Sequence, residues 1–176
     1  VTATRGQSPD ELFDVVDAED RVIARRRRVE VHAEGLFHRA VHLFVFHPDG
    51  RMLLQKRSRW NDAEPGKWTS SCAGHLDAGE DYNAAVMREA GEELGLELPN
   101  LPEKIAYLRA VPELGQEFVT VYRLVATGPF VFPEDEVEAL EWWEREDLRQ
   151  AVEATPDHFA GSFRYLMREV PTLWGE

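Results

Sequence analysis

The stretch Gly74–Leu96 reads GHLDAGEDYNAAVMREAGEELGL, and its second half has the clearest helical pattern in the chain. Asp81 is placed to cap a helix over Asp81–Leu94, and Gly95 to end it. Ala85, Val86, Ala90 and Leu94 recur at the spacing of a buried stripe. Glu89, Glu92 and Glu93 then fall at i, i+3 and i+4 and share one face. Arg88 can reach Glu92, but one cation does not neutralise three carboxylates. Gly91 sits inside the helix, where glycine costs about 0.8–1 kcal/mol relative to alanine. A tight cluster of oxygen ligands after a glycine-rich loop suits a hard cation, Mg²⁺ or Mn²⁺, and such cations commonly partner phosphate substrates.

The rest of the sequence restricts what that helix can serve. A length of 176 residues with 43% hydrophobic content fits one domain with a sizeable core. The 33 acidic residues outnumber 20 basic ones, for a formal charge of −13, which repels nucleic-acid polymers and anionic membranes. A small phosphorylated substrate stays compatible, because a bound cation reverses the local field. No apolar run reaches the roughly 18 residues of a membrane span, and the opening VTATRGQSPDE lacks a signal-peptide core. The single cysteine, Cys72, makes no internal disulfide, so a cytoplasmic location is expected. The basic run Arg25–Arg28 reads as a solvated strand edge or turn.

Leu12–Val16 and Arg21–Arg25 flank a polar DAED and predict a hairpin. Arg39–Phe46 and Arg51–Arg57 read as strands joined by an HPDG turn, followed by a polar loop and a short strand in KWTSSC. Further strands are expected near Ile105–Val111, Glu117–Ala126 and Val137–Glu144. Helices are expected over Asp147–Ala154 and Asp157–Val170, broken near Pro156. The mixture without regular βαβ alternation suggests α+β or α/β layers.

Gly74, Glu80, Arg88-Glu89, Glu92-Glu93 and Gly95-Leu96 stand at the spacing of the Nudix box, and the chain resembles that superfamily. Ala90 is the one departure, where the family usually has a bulkier aliphatic residue. FHRAVHLFVFHPDGRMLLQKRS, PGKWTSS and DEVEALEWW extend the resemblance to the isopentenyl-diphosphate isomerase branch and its hydrolase-like relatives. The resemblance implies an α/β fold, a Nudix-type α/β/α sandwich with a mixed sheet. It implies a single domain over 1–176, with N-terminal strands at 10–30 and C-terminal helices at 145–171 as extensions.

It also implies a divalent-metal-dependent hydrolase acting on a diphosphate linkage. Glu89, Glu92 and Glu93 would hold the metal, joined by the Ala73 carbonyl, while Glu80 and Arg88 would fix the loop against the helix. Glu89 and Glu117 are both candidates for the general base. His38, His75 and Arg57 are candidates for substrate contact, and His32, His38 and His75 for a second metal as in the isomerase.

Two departures separate the chain from the isomerase. Ala73 occupies the position of the isomerase's catalytic cysteine, and Gly115 that of one acid of its acidic pair. In an extended segment a shift of one residue turns Cys72 to the opposite face, away from the pocket. The alternatives to a hydrolase are therefore the isomerase itself and a non-catalytic nucleotide-binding domain. The N-terminal strands and the tail leave a dimer open.

Overall fold

The computed structural model describes residues 8–175, so that most of the polar opening segment lies outside the described residues. Two strands, β1 (Leu12–Val16) and β2 (Val22–Arg27), form the expected hairpin. A short helix α1 (Arg28–Glu34), which the sequence reading did not anticipate, follows directly and begins inside the segment read as strands. Its two valines and its polar composition disfavour a helix in isolation. Packing holds it, since Val31 is fully buried with Phe13 and Val15 of β1. Glu30 also accepts from the Arg27 backbone N–H at 3.0 Å and closes the first turn.

The main sheet has seven strands: β3 (His38–Phe46), β4 (Met52–Arg57), β5 (Trp68–Thr69), β6 (Cys72–His75), β7 (Glu103–Leu108), β8 (Glu117–Val125) and β9 (Val137–Trp143). β3 and β8 run parallel through its centre, and every other pair is antiparallel, so the sheet is mixed. The strand expected in KWTSSC is two short strands. Ser70 and Ser71 are fully buried between them. The Ser71 hydroxyl donates to the Leu53 carbonyl at 2.6 Å and accepts from the Val45 N–H at 2.7 Å, so a side chain stands in for the missing ladder bonds.

Alternation along β3 divides the core. Val41, Leu43 and Val45 face the helix α2 (Tyr82–Leu94), whose Ala85, Val86, Ala90 and Leu94 are all fully buried as the pattern predicts. Ala40, Phe44 and Phe46 face the opposite way, toward the helices α3 (Arg145–Ala154) and α4 (Gly161–Glu169) through Leu148, Phe163 and Leu166. Helices thus cover both sheet faces, in the layered α/β arrangement. Ala90 fills its place without a void-filling aliphatic chain, being 0% exposed.

The hairpin is fastened to the core at two points. Asp14 accepts from the Gly79 N–H at 2.7 Å and from Arg25 Nε at 3.0 Å, while the Ala78 N–H donates to the Leu12 carbonyl at 2.8 Å. At the hairpin tip, Asp20 accepts from Arg39 Nε at 2.6 Å and from the hydroxyls of Tyr82 and Tyr107 at 2.8 and 2.9 Å. These bonds tie the hairpin to the loop that precedes α2, to the first residue of α2, and to β3 and β7.

Candidate active site

Asp81 caps α2 by accepting from the Ala84 N–H at 2.8 Å, and Gly95 closes it in the left-handed conformation. The three box carboxylates do not share one environment. Glu89 and Glu93 are buried against β6, whereas the Glu92 side chain is 58% exposed at the edge. Arg88 lies across the group. It donates to both Glu80 oxygens at 2.9 Å, to Glu89 at 2.8 Å, to Glu92 at 2.9 Å and to the His75 carbonyl at 3.0 Å. Burial first, then mutual repulsion of the two carboxylates, pushes the Glu89 carboxyl up, and burial raises that of Glu93.

Glu93 is oriented by two donors, Gln55 Nε2 at 2.9 Å and the Ala73 N–H at 3.2 Å, both onto one oxygen. Glu89 lies directly over Gly74, where an added Cβ would overlap its carboxylate. This close approach explains why the loop opens on a glycine. Two buried carboxylates, only one of which bonds to the Arg88 guanidinium, and a strand stripped of its side chain to admit that one, form an oxygen-rich pocket of net negative charge. That donor set fits a hard divalent cation. Glu136, just before β9, extends the negative field. Its carboxyl is pushed up to about 7, by burial first and then by the nearby Glu93 and Asp135. The sequence reading missed Gln55 and Glu136. The signal for Gln55 was a polar residue in the middle of an apolar strand.

The opposite face of the sheet carries a different set. Register pairs Ala40 with His75, His42 with Ala73, and His38 with Glu117, so these six residues face the same side, away from α2. His32 reaches them from α1, and one ring nitrogen from each of His32, His38 and His75 lies within 4.8 Å of the others. Glu117 Oε1 is 2.9 Å from His75 Nε2 and 3.5 Å from His38 Nε2.

The proton positions follow from the partners. His38 Nδ1 faces the Leu36 carbonyl at 2.8 Å and must donate to it. Its Nε2 is buried, has no hydrogen-bond partner and stands 3.5 Å from Glu117 Oε1. Arg28 Nη1 donates to His75 Nδ1 at 3.2 Å, so Nε2 carries the proton and donates to Glu117. Burial, the largest influence, holds His75 down to about 4, so it is neutral at pH 7. Burial opposes the charge on Glu117, yet the adjacent His75, and after it His38, keep its carboxyl well below the usual carboxylate range. Three imidazoles, one of them with a ring nitrogen that has no hydrogen-bond partner, and a carboxylate also make a nitrogen–oxygen set that fits a transition metal.

These groups open onto a cavity of about 650 Å³ whose wall includes Arg28, His42, Arg57, Ala73, Gly115 and Ser162. Arg57 is braced by donating to the Ala63 carbonyl at 2.9 Å. The basic run divides here, against the expectation of a solvated edge. Arg25 to Arg27 lie toward solvent, but Arg28 is 3% exposed and pairs with both Asp62 oxygens at 3.2 Å. The cause is the onset of α1 at Arg28, which turns that side chain inward. Cys72 faces α2, across the sheet from the cavity, in keeping with the register argument. Its surroundings are not only apolar, since its Sγ lies within 4.8 Å of a carboxylate oxygen of each of Glu89 and Glu93. Gly115 adopts a left-handed conformation beside Glu117, where an added Cβ would come within 3.8 Å of the Glu117 carboxylate.

Comparison with known proteins agrees with this geometry. Residues 36–163 match the model of the NUDIX domain. An isopentenyl-diphosphate Delta-isomerase from Serratia proteamaculans is 33% identical over 165 residues, covering 92% of each chain. A Nudix hydrolase from Yersinia pestis is 31% identical over 168 residues, covering 94% of this chain and 91% of the relative. The crystal structure of a Deinococcus radiodurans protein superimposes with a TM-score of 0.80 at 25% identity, covering 92% of this chain and 99% of that one. Among the described residues no helix is long and apolar enough to cross a membrane. With a box that departs only at Ala90 and relatives aligned over almost its whole length, the chain belongs to the Nudix family of enzymes, in the isopentenyl-diphosphate isomerase-like branch.

Proposed function

We propose that the chain is a divalent-metal-dependent hydrolase that cleaves a diphosphate linkage in a nucleoside diphosphate derivative or a related small phosphate compound. The observation that carries this reading is the buried Glu89–Glu93 carboxylate pair packed over the bare Gly74 backbone. Glu89, Glu92 and Glu93, with the Ala73 carbonyl, would hold Mg²⁺ or Mn²⁺. That cation supplies charge neutralisation at the diphosphate and a more acidic water.

The residues of the chain supply position and proton transfer. Arg88 and Glu80 fix the loop against α2, so the carboxylates meet the substrate in a set geometry. Gln55 and the Ala73 N–H occupy one oxygen of Glu93 and keep that side chain oriented. Of the two candidate bases, Glu89 is favoured. It stands in the carboxylate cluster itself, and burial raises its affinity for a proton. Glu117 is held charged by its histidines on the other sheet face. His75 and Arg57 line the cavity and would contact the rest of the substrate, with Arg57 suited to phosphate. His38 is 1% exposed and buried beside His75 rather than on the cavity wall, against the expectation of a substrate contact.

The test is turnover of a panel of nucleoside di- and triphosphates and their conjugates with Mg²⁺. Activity that falls about 10²-fold or more in Glu92→Gln and Glu93→Gln is expected. No turnover of any compound, or full activity in both variants, would sink the proposal. The three-histidine cluster and the Serratia relative favour a second reading, isomerisation of isopentenyl diphosphate. Against it, Ala73 and Gly115 stand on the cavity side where that chemistry uses a thiol and an acid, and Cys72 lies across the sheet. Formation of the dimethylallyl isomer by the unmodified chain would establish it. Tight nucleotide binding without any product would instead mark a non-catalytic binding domain.

A further inference from the structure

The loop of residues 58–67, between β4 and β5, supplies Asp62, Ala63 and Glu64 to the cavity wall. Its start is anchored at the Glu136 carbonyl, by the Ser58 N–H at 3.0 Å and Asn61 Nδ2 at 3.1 Å. Its end is anchored where the Gly66 N–H donates to the Arg57 carbonyl at 3.0 Å. The middle is different: none of residues 62–65 is buried, and charged side chains fasten it. Asp62 accepts from Nε and Nη2 of Arg28 on α1, both at 3.2 Å. Glu64 accepts from the Gly161 N–H at the start of α4, at 3.0 and 3.2 Å, and from Lys67 Nζ at 3.2 Å. Its φ of 47° is in the left-handed region, so the carboxylate reaches α4 against a local backbone preference. In the Arg28–Asp62 pair the wall holds the buried member and the loop the exposed one, with side chains 4% and 48% exposed. Resting on the reading that this cavity receives a phosphorylated compound, we propose that the loop is a self-inhibiting strap. Asp62 and Glu64 occupy donors of the wall in place of the substrate's anionic groups, and the incoming anion opens the strap by taking Arg28 from Asp62.

The exchange is one anion for another. A guanidinium fork that holds two carboxylate oxygens holds two phosphate oxygens in the same way, and a diphosphate brings more charge than one carboxylate. Arg28, at 3% exposure, is therefore never left buried without a counter-ion. Releasing the strap breaks half-exposed ion pairs and uncovers no apolar side chain from residues 62–65, so opening is a local event of low cost. Glu64 lies two residues beyond Asp62, so loss of the first fastening loosens the second.

Hydrogen exchange of the full chain, read by mass spectrometry on peptides covering residues 58–67, follows the strap without any turnover. The probe is inorganic diphosphate without divalent cations, so that the Glu89–Glu93 pair repels it, compared with sodium chloride at the same ionic strength. Diphosphate is expected to speed exchange of the strap about fivefold or more, with peptides of α2 unchanged. Glu64→Gln should speed it without diphosphate. Asp62→Asn should bind diphosphate about fivefold more tightly by calorimetry, because the competing charge is gone. No binding by the unmodified chain, or strap exchange that diphosphate leaves unchanged or slows, overturns the proposal. So does equal or weaker binding by Asp62→Asn, the outcome for an aspartate that only orients Arg28. Opening by diphosphate supports the strap even where the turnover panel fails, a result that counts against the proposed function alone. Turnover with a strap that ignores diphosphate counts against the strap alone.

Discussion

Replacing Gly74 and Gly91 with alanine, one at a time, should move stability in opposite directions, although both glycines belong to the same motif. At Gly91 the new methyl would meet nothing nearer than the Leu96 carbonyl oxygen at 3.8 Å, on the exposed side of α2. The gain is then the helix propensity difference, about 0.8–1 kcal/mol. At Gly74 the methyl would overlap the Glu89 carboxylate, which Arg88 holds at 2.8 Å in a buried setting. Overpacking of this kind costs about 1–3 kcal/mol. For a chain of this size each kcal/mol moves Tm by about 2–4 °C, so Gly91→Ala should melt about 2–4 °C higher and Gly74→Ala about 2–12 °C lower. Differential scanning calorimetry measures both. A Mg²⁺ titration of hydrolysis should show a raised metal requirement for Gly74→Ala and little change for Gly91→Ala. A Gly74→Ala variant as stable as the parent, with the same metal requirement, would refute the claim that this glycine exists to seat Glu89.

The buried His42, which contacts Ser70 at 2.7 Å, is held down to about 4 by desolvation. Between pH 4 and its ordinary value near 6.5 the unfolded chain binds the extra proton, so stability falls as pH drops through that window, by about 3 kcal/mol in all. His42→Gln should flatten that part of the denaturant-midpoint profile; a parallel profile in the variant would remove His42 as the cause. At the hairpin tip, Asp20→Ala strands Arg39 and two tyrosine hydroxyls and should cost about 2–3 kcal/mol, measured by urea unfolding. Tyr107→Phe, at a side chain 45% exposed, should cost no more than about 1 kcal/mol in the same assay.

Much of the fold could be read from local pattern. The α2 stripe, its Asp81 cap and its Gly95 stop are set by spacing within one helix, and the same holds for the alternating runs of β3 and β8. The helix α1 was not legible, because its seven residues carry no strong stripe and owe their conformation to Val31 packing on β1. The burial of Arg28 followed the same route and turned one member of a basic run into a wall of the cavity.

The site shows the same division. Sequence by itself determined which residues could hold a cation, because i, i+3 and i+4 spacing on a helix fixes which carboxylates are neighbours. It also determined that Cys72 and Ala73 point to opposite sides, since strand geometry has a period of two. Only the tertiary structure decided what each side meets. It put Glu89 and Glu93 with Cys72 under α2, and His38, His75 and Glu117 with Arg28 over the cavity. It also brought Gln55, 38 residues distant in the chain, onto Glu93. Periodicity specifies which way a side chain faces, but the layer that covers that face comes from strand register and packing between segments far apart in the chain.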